Sequence, residues 1–375
     1  MVEKGAALPT RDDPELRALV ALRCVRGLGD ISLARLLRRH GSARAVWEAA
    51  ASGVPLEGVR RGAAAALARG PDEGAVEELL DRVEALGAWL LYWGGPGYPP
   101  SLAGLEHPPP LLYCQGDPRL LHEEGMVAMV GARRATSYGR RVARELAMAL
   151  ARAGVATVSG FAVGIDGAAH AGSLEGGGAT VAVLGCGLDL DYPRSHRRLR
   201  RRVAEQGLLL SEFDPGTPPD PGNFPKRNRI ISGLARAVVV VEADMKSGSL
   251  ITASHALEQG KEVYAVPGSI YSPVSRGTHW LIRQGAPLIS SPLELLEELR
   301  LASPGGSPSP AEAGMGGGIG PREERVLACL EAYPLHIDEI AARAGLSASE
   351  VGRILVNLEL DDMVTALPGH MYQRC

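Results

Sequence analysis

From Met126 to about Arg300 the chain repeats one pattern: a short apolar run, a glycine-bearing turn, then a segment of helical length. The apolar runs are Met126–Val130, Val155–Ser159, Thr180–Leu184, Leu208–Ser211, Ala237–Val241 and Glu262–Val266, and amphipathic segments such as Tyr138–Ala153 and Arg194–Gln206 lie between them. Strands that are apolar throughout need cover on both faces. Alternating with helices, they predict an α/β fold, a doubly wound parallel sheet. Each helix carries the chain back, so every turn that follows a strand falls on one edge of the sheet. In open α/β sheets that is the edge that takes ligands.

Nearly all unusual residues of this region stand in those turns. The first offers Gly131, Arg133, Arg134, Thr136 and Ser137, and the second, S-G-F-A-V-G-I-D-G-A-A-H, offers Gly160. A long turn after the fourth strand ends in F-P-K-R-N-R, with Lys226, Arg227, Asn228 and Arg229. The next carries Lys246, Ser247, Gly248 and Ser249, with Thr252 on the first turn of the helix that follows. Cations grouped with hydroxyls, amides and glycines at helix starts point to an anion, phosphate first. Lysine is otherwise scarce, since only Lys4 and Lys261 accompany Lys226 and Lys246. A guanidinium pairs phosphate bidentately and stacks on bases, so Arg133 or Arg134 suits single-stranded nucleic acid; the plain alternative is a pair of surface arginines beside a helix.

Other chemistries fit less well. A dinucleotide site needs G-x-G-x-x-G after the first strand, and Gly131-Ala132-Arg133-Arg134 lacks the second glycine. No Walker A sequence is present. Asp166 stands at a helix start, where a carboxylate caps amides, and His170 follows four residues on; an acid/base pair there would lack a nearby nucleophile. The run Arg197 to Arg202 reads as a solvated helix face with a supporting electrostatic role. No catalytic residue, metal site or cofactor is expected.

The flanks differ in kind. Residues 1–87 are rich in Ala, Leu and Arg, and V-R-G-L-G-D followed by an amphipathic helix predicts a helix-hairpin-helix or a plain packing module. Pro-rich sequence from Gly94 to Pro118 reads as a bridge into the core, residues 88–300. Residues 301–320, rich in Gly, Pro and Ser, read as a flexible linker. In residues 321–375 a G-L-S turn between two helices, the second capped by Ser347, makes a helix-turn-helix, and strands around Pro368-Gly369 would complete a winged helix. Its second helix shows Glu350, Arg353, Asn357 and Glu359, with Asp361 and Asp362 after it, acids that phosphate repels. A net charge of −3 excludes a uniformly basic nucleic-acid binder, so any such surface is local. No apolar stretch approaches a membrane span and the N-terminus carries acids and prolines, so a cytoplasmic protein is expected. The five scattered cysteines, without a C-x-x-C pair, read as reduced thiols.

The motifs G-A-R-R-A-T-S-Y-G, S-G-F-A-V-G-I-D-G-A-A-H, F-P-K-R-N-R-I-I-S-G-L-A, K-S-G-S-L-I-T-A and V-P-G-S with G-T-H-W-L-I-R-Q-G-A occur in an order that resembles the DNA-processing protein A family (DprA, also called Smf). The resemblance spans about Gly94 to Ser290. It implies a Rossmann-like core, with a SAM-like helical module before it and a winged helix after it. It further implies a protein of natural transformation that binds and protects incoming single-stranded DNA and loads the recombinase RecA, with single-stranded DNA-binding protein as a further partner. The family's DNA-contacting arginine maps to Arg133, and its basic F-P-x-R-N-R residues map to Lys226, Arg227 and Arg229. A homodimer is implied, and the apolar residues Ile270, Tyr271, Trp280, Leu281, Ile282 and Leu288 within Tyr264–Ile289 are its candidate face. Two positions depart from the family pattern: Val163 replaces an arginine before G-I-D, and His279 replaces the asparagine of G-T-N. The competing enzyme reading is a nucleotide N-glycosidase of the lysine-decarboxylase-like fold. That fold uses P-G-G-x-G-T-x-x-E, and the glutamate is missing after Gly277-Thr278.

Overall fold

The protein is described by a computed structural model over residues 8–123, 125–301, 321–330, 334–360 and 363–374. The expected linker lies, but for Leu301, outside the described residues, as do Asp361 and Asp362. The chain forms two compact units, Met1–Pro304 and Gly305–Cys375.

The first unit opens with five helices: α1 (Pro14–Cys24), α2 (Asp30–His40), α3 (Ala43–Ala51), α4 (Arg61–Leu67) and α5 (Glu73–Ala85). Their starts are set by side-chain caps. Asp13 accepts from the amides of Glu15 and Leu16, Ser42 from Ala45 and Asp72 from Ala75, each satisfying donors that a helix start leaves free. The apolar faces so aligned do not close on themselves. Leu16, Leu19, Leu33, Val46 and Leu80 share one core with Tyr113, Leu184, Val203 and Leu209 of the sheet region.

The remaining elements of this unit are β1 (Trp89–Tyr92), α6 (Pro100–Ala103), β2 (Leu111–Gly116), β3 (Val127–Val130), α7 (Ser137–Arg152), β4 (Thr157–Ser159), α8 (Ile165–Glu175), β5 (Thr180–Val183), α9 (Arg197–Gln206), β6 (Leu208–Ser211), α10 (Asn223–Leu234), β7 (Ala237–Val240), α11 (Gly248–Glu258), β8 (Glu262–Ala265), α12 (Arg276–Arg283) and α13 (Pro292–Glu298). The strands form one sheet in the order β1-β2-β6-β5-β4-β3-β7-β8. All six strands expected from the sequence are present and mutually parallel. The stretch read as a Pro-rich bridge instead supplies β2, antiparallel to β6, and β1 just before it pairs antiparallel with β2. Pro108, Pro109 and Pro110 before β2 and Pro118 after it masked that strand.

The two-residue strand period is spent on two separate cores. Val127 and Met129 pack with Ala143, Leu146 and Ile165 of α7 and α8, whereas Ala128 and Val130 pack with Ile230, Leu234 and Ala253 of α10 and α11. Each fully buried aliphatic side chain contributes about 1.5–3 kcal/mol of transfer free energy. From β3 the chain steps outward through β4, β5 and β6, then returns to the other side of β3 for β7 and β8. The turns after β3 and β7 therefore diverge from one crevice at the carboxyl edge, the switch point of the sheet.

The second unit holds α14 (Pro321–Cys329), β9 (Leu335–His336), α15 (Ile337–Ala344), α16 (Ala348–Leu360), β10 (Val364–Leu367) and β11 (Met371–Arg374). Ser347 and Glu350 form a reciprocal cap, the amide of each donating to the other's side chain, at 3.1 Å from Ser347 and 3.3 Å from Glu350. Ile340, Val351, Leu355 and Leu358 fill its core, and the three strands pair in the order β10-β11-β9. This is the winged helix expected from the sequence. Among the described residues no helix is long and apolar enough to cross a membrane, and Cys24, Cys114, Cys186 and Cys329 are free thiols.

Candidate nucleic-acid interface

The crevice at the switch point is already occupied by a side chain of the protein. Glu242, just past β7 and 3 % exposed, accepts from the Thr136 amide at 2.9 Å and from the Thr136 hydroxyl at 2.5 Å. Thr136 in turn caps α7 by accepting from the Gly139 amide at 3.1 Å. A carboxylate thus fills the positive helix start where a dinucleotide fold holds pyrophosphate. Sequence reasoning missed Glu242. Its signal was an acid closing an otherwise apolar strand.

The F-P-K-R-N-R residues are not in a turn, as the sequence suggested, but form the first turns of α10. Three of them face inward. Arg227 is 3 % exposed; its guanidinium donates to the Gly160 carbonyl at 2.6 Å and to the Val183 carbonyl, tying α10 beneath β4 and β5. A side chain at Gly160 would place its Cβ 2.7 Å from the Asp166 carboxylate and 2.8 Å from the Arg227 guanidinium, so this glycine exists to let the pair approach. Burial pushes the Asp166 carboxyl up to about 6 against the pull of Arg227, and pushes Arg227 down to about 10 against the pull of Asp166. Asn228, also buried, donates to the Gly248 carbonyl at 3.1 Å and so fastens α10 to the start of α11. Arg229 grips Glu212 with both ends of its guanidinium at 2.7 Å and donates to the His107 carbonyl at 2.9 Å. Gly160, Arg227, Asn228 and Thr252, the last 1 % exposed, are interior rather than surface residues, and Arg229 is largely neutralised.

A further ion network joins this anchor to the N-terminal helices. Arg23 of α1 donates to Asp214 at 2.8 Å and pairs with Asp30 of α2, while Tyr113 donates to the same Asp214 oxygen at 2.7 Å. Glu212, which holds Arg229, lies two residues before Asp214, and Arg23 also reaches its carbonyl at 3.4 Å.

What remains on the rim is a smaller set. Arg133, Arg134, Lys226 and Lys246 are exposed, and none of them has a carboxylate partner among the described residues. The Arg133 guanidinium lies over the Phe224 ring, 4.5 Å from its centroid, and the Tyr192 ring stands 5.8 Å from Phe224 on the far side of the turn after β5. Gly164, at φ 89, folds the next turn against the carbonyls of Ala132 and Arg133, which brings the exposed Val163 alongside. Gly131 packs against Ile165, so its role is close approach of backbone. Ser137 opens α7 on the exposed side, and Gly248 is likewise exposed at the start of α11. Ser247 caps α11 and shares its hydroxyl with that of buried Ser249 at 2.7 Å. His279 meets the amide and the carbonyl of Gly268 at 3.4 and 3.1 Å, pinning the turn after β8 onto α12.

The Asp166 and His170 pair does not form. His170 is wholly buried and shares a 2.7 Å hydrogen bond with Thr180, while Asp166 accepts from the Ala162 amide at 3.2 Å. Burial, with His196 and Arg227 nearby, lowers the His170 imidazole to about 3. Asp166 ties the preceding turn to α8 rather than capping the helix, and His170 is a core residue.

With this geometry in place, comparison with known proteins is direct. Residues 89–300 match the family model for DNA recombination-mediator protein A, and residues 308–370 match that of the DprA winged helix domain. Protein Smf of Escherichia coli is 43 % identical over 280 residues, covering 72 % of this chain and 74 % of its own length. The DNA processing protein DprA of Bacillus subtilis is 46 % identical over 202 residues, 54 % of this chain and 68 % of its own. The X-ray structure of DprA from Streptococcus pneumoniae superposes with a TM-score of 0.66 at 32 % identity, covering 78 % of this chain and 99 % of that one. DprA from Helicobacter pylori, solved for its single-stranded DNA binding mode, superposes with a TM-score of 0.52 at 32 % identity, covering 57 % of this chain and 95 % of that one. The chain belongs to the DNA-processing protein A (DprA/Smf) family of DNA recombination mediators.

Proposed function

We propose that the carboxyl edge of the sheet binds single-stranded DNA, and that the protein shields such strands and loads the RecA recombinase onto them. The observation that carries this reading is the Arg133 guanidinium over the Phe224 ring, with the Tyr192 ring tilted beside it, on a rim with exposed Lys226 and Lys246. An exposed guanidinium held over a ring can stack on a base and pair a phosphate through its N–H groups. Arg134, Ser137, Ser247 and Gly248 border the same rim and add donors, while the buried Arg227 and Asn228 and the half-buried, paired Arg229 hold α10 in place. Bases are met by their faces, so little sequence preference follows. The strand's phosphates supply the affinity, so binding falls steeply with salt. The role of the edge is binding rather than catalysis. The N-glycosidase reading needs a glutamate near Gly277-Thr278, where the chain has His279 and Trp280. Released base after incubation with nucleoside monophosphates would revive it. A RecA partner places the protein in the cytoplasm.

The family also supports a homodimer. Ile270, Tyr271, Trp280 and Leu288 are 78, 90, 41 and 44 % exposed and form its candidate face, whereas Leu281 packs inward. Light scattering at micromolar protein tests the dimer, and its survival in Ile270→Glu would move the interface elsewhere.

The test of the main reading is competition between single-stranded and duplex oligonucleotides, followed by RecA filament assembly on a strand coated with single-stranded DNA-binding protein. Preference for the single strand and faster assembly support it. Equal binding of duplex, or a flat salt response, would remove the single-strand site, and unchanged assembly would remove the loading role.

A further inference from the structure

The outer face of α9 and the turn that leads into it carry arginines that the sheet-edge site leaves unused. Arg194, Arg198 and Arg201 are exposed and Arg202 half-buried, and among the described residues none of the four has a carboxylate partner. Their neighbours behave differently. Arg197 pairs with Asp191 at 3.1 Å, and Arg200 turns inward onto the Leu188 carbonyl. At 3.6 residues per turn Arg198, Arg201 and Arg202 share one side of α9, opposite Leu199, Arg200 and Val203, and Arg194 stands in the 3-10 turn Arg194–His196 that leads into it. The chain as a whole is slightly acidic, at −3, so this density of cations is local. Like charges at i,i+4, here Arg198 and Arg202, repel along a helix, and a polyanion would relieve that repulsion.

The place where the row begins decides which polyanion. Arg194 is two residues beyond Tyr192, whose ring stands 5.8 Å from Phe224 beneath the Arg133 guanidinium. Because β5 and β6 are parallel, α9 leaves the carboxyl edge of the sheet and runs toward the opposite one. A strand held at the rim therefore meets this row directly.

We propose that single-stranded DNA continues from the sheet edge over α9, its phosphates paired by Arg194, Arg198, Arg201 and Arg202. The extension rests on the single-strand reading of the edge. The row is a sequence-independent track, since it offers charge without aromatic faces.

The test uses the full chain, the triple variant Arg198→Gln/Arg201→Gln/Arg202→Gln, and oligothymidylates of about 6 and about 20 nucleotides, chosen to fill the edge alone or to overrun it. The triple variant should bind the short strand as the wild type does and the long strand at least tenfold more weakly. Its long-strand salt slope should be shallower by about 2, from three lost contacts at about 0.7 each. Unfolding temperature should not fall. If Arg133→Ala weakens both lengths while the triple variant weakens neither, the track is wrong and the edge stands. Equal weakening at both lengths, or loss of duplex binding alone, would also overturn the track. If the wild type binds neither strand, edge and track fall together.

Discussion

Arg227 and Lys226 are chain neighbours on one helix, yet they do opposite work. Arg227 is spent inside, on two backbone carbonyls and a buried carboxylate, while Lys226 stands free on the rim. The same split runs across the whole carboxyl edge. Arg229 and Glu242 secure the framework, whereas Arg133 and Lys246 face outward. A motif dense in cations is therefore part strut and part contact. The strut residues decide whether the protein folds; the rim residues decide what it holds.

The largest effect expected from this division is on stability. Glu212→Ala strands Arg229 in a mostly buried setting and should cost about 3–5 kcal/mol, read as a lower denaturant midpoint. Arg227→Ala, which strands Asp166, should cost a similar amount. A loss below about 1 kcal/mol in both, within the range of ordinary surface changes, would dissolve the distinction.

Next in size is an acid sensitivity set by His170. Its imidazole sits at about 3 in the folded protein against an ordinary 6.5, so its contribution is intact above pH 6.5 and is lost as pH falls toward 3. Within that window the unfolded chain binds up to one more proton, which lowers stability by up to about 1.4 kcal/mol per pH unit. Asp166, raised to about 6 from 3.8, acts the other way, its contribution present below 3.8 and lost as pH rises through 6. Denaturant curves for His170→Asn should therefore have a flatter acid limb than the wild type. Parallel limbs would mean that His170 is charged or exposed.

Smaller again is the effect of one rim residue. Phe224→Ala removes the ring beneath Arg133 and should weaken single-strand binding by about 1–3 kcal/mol. Lys246→Ala should remove a single phosphate contact, so the salt slope drops by about 0.7 and little else changes.

Much of the fold was legible because its signals are local. The six parallel strands, the Ser347 cap and the turn at Gly345 each declare themselves within a few residues. Strands β1 and β2 did not, because β2 has its other partner, β6, far along the chain and prolines crowd its ends, and β1 pairs with β2 alone. For the site, residue types and edge were readable, and Arg133, Lys226 and Lys246 stand there exposed. The burial of Arg227, the Glu212–Arg229 grip and the filling of the α7 start by Glu242 depend on residues 17 to 106 positions apart. No sequence window shows such pairings. Phe224, read only as part of a motif, gains meaning once Arg133 and Tyr192 are seen against its ring.

The central claim is that the exposed cations of the carboxyl edge hold a single strand while their buried neighbours do not touch it. Fluorescence anisotropy of a labelled oligothymidylate, titrated with wild type and Arg133→Ala/Lys226→Ala across a salt series, tests it directly. The account predicts at least tenfold weaker binding, a log–log salt slope shallower by about 1.4 for two lost phosphates, and an unchanged unfolding midpoint. Wild-type affinity and slope in that variant, or a fall in stability as large as the fall in binding, would contradict it.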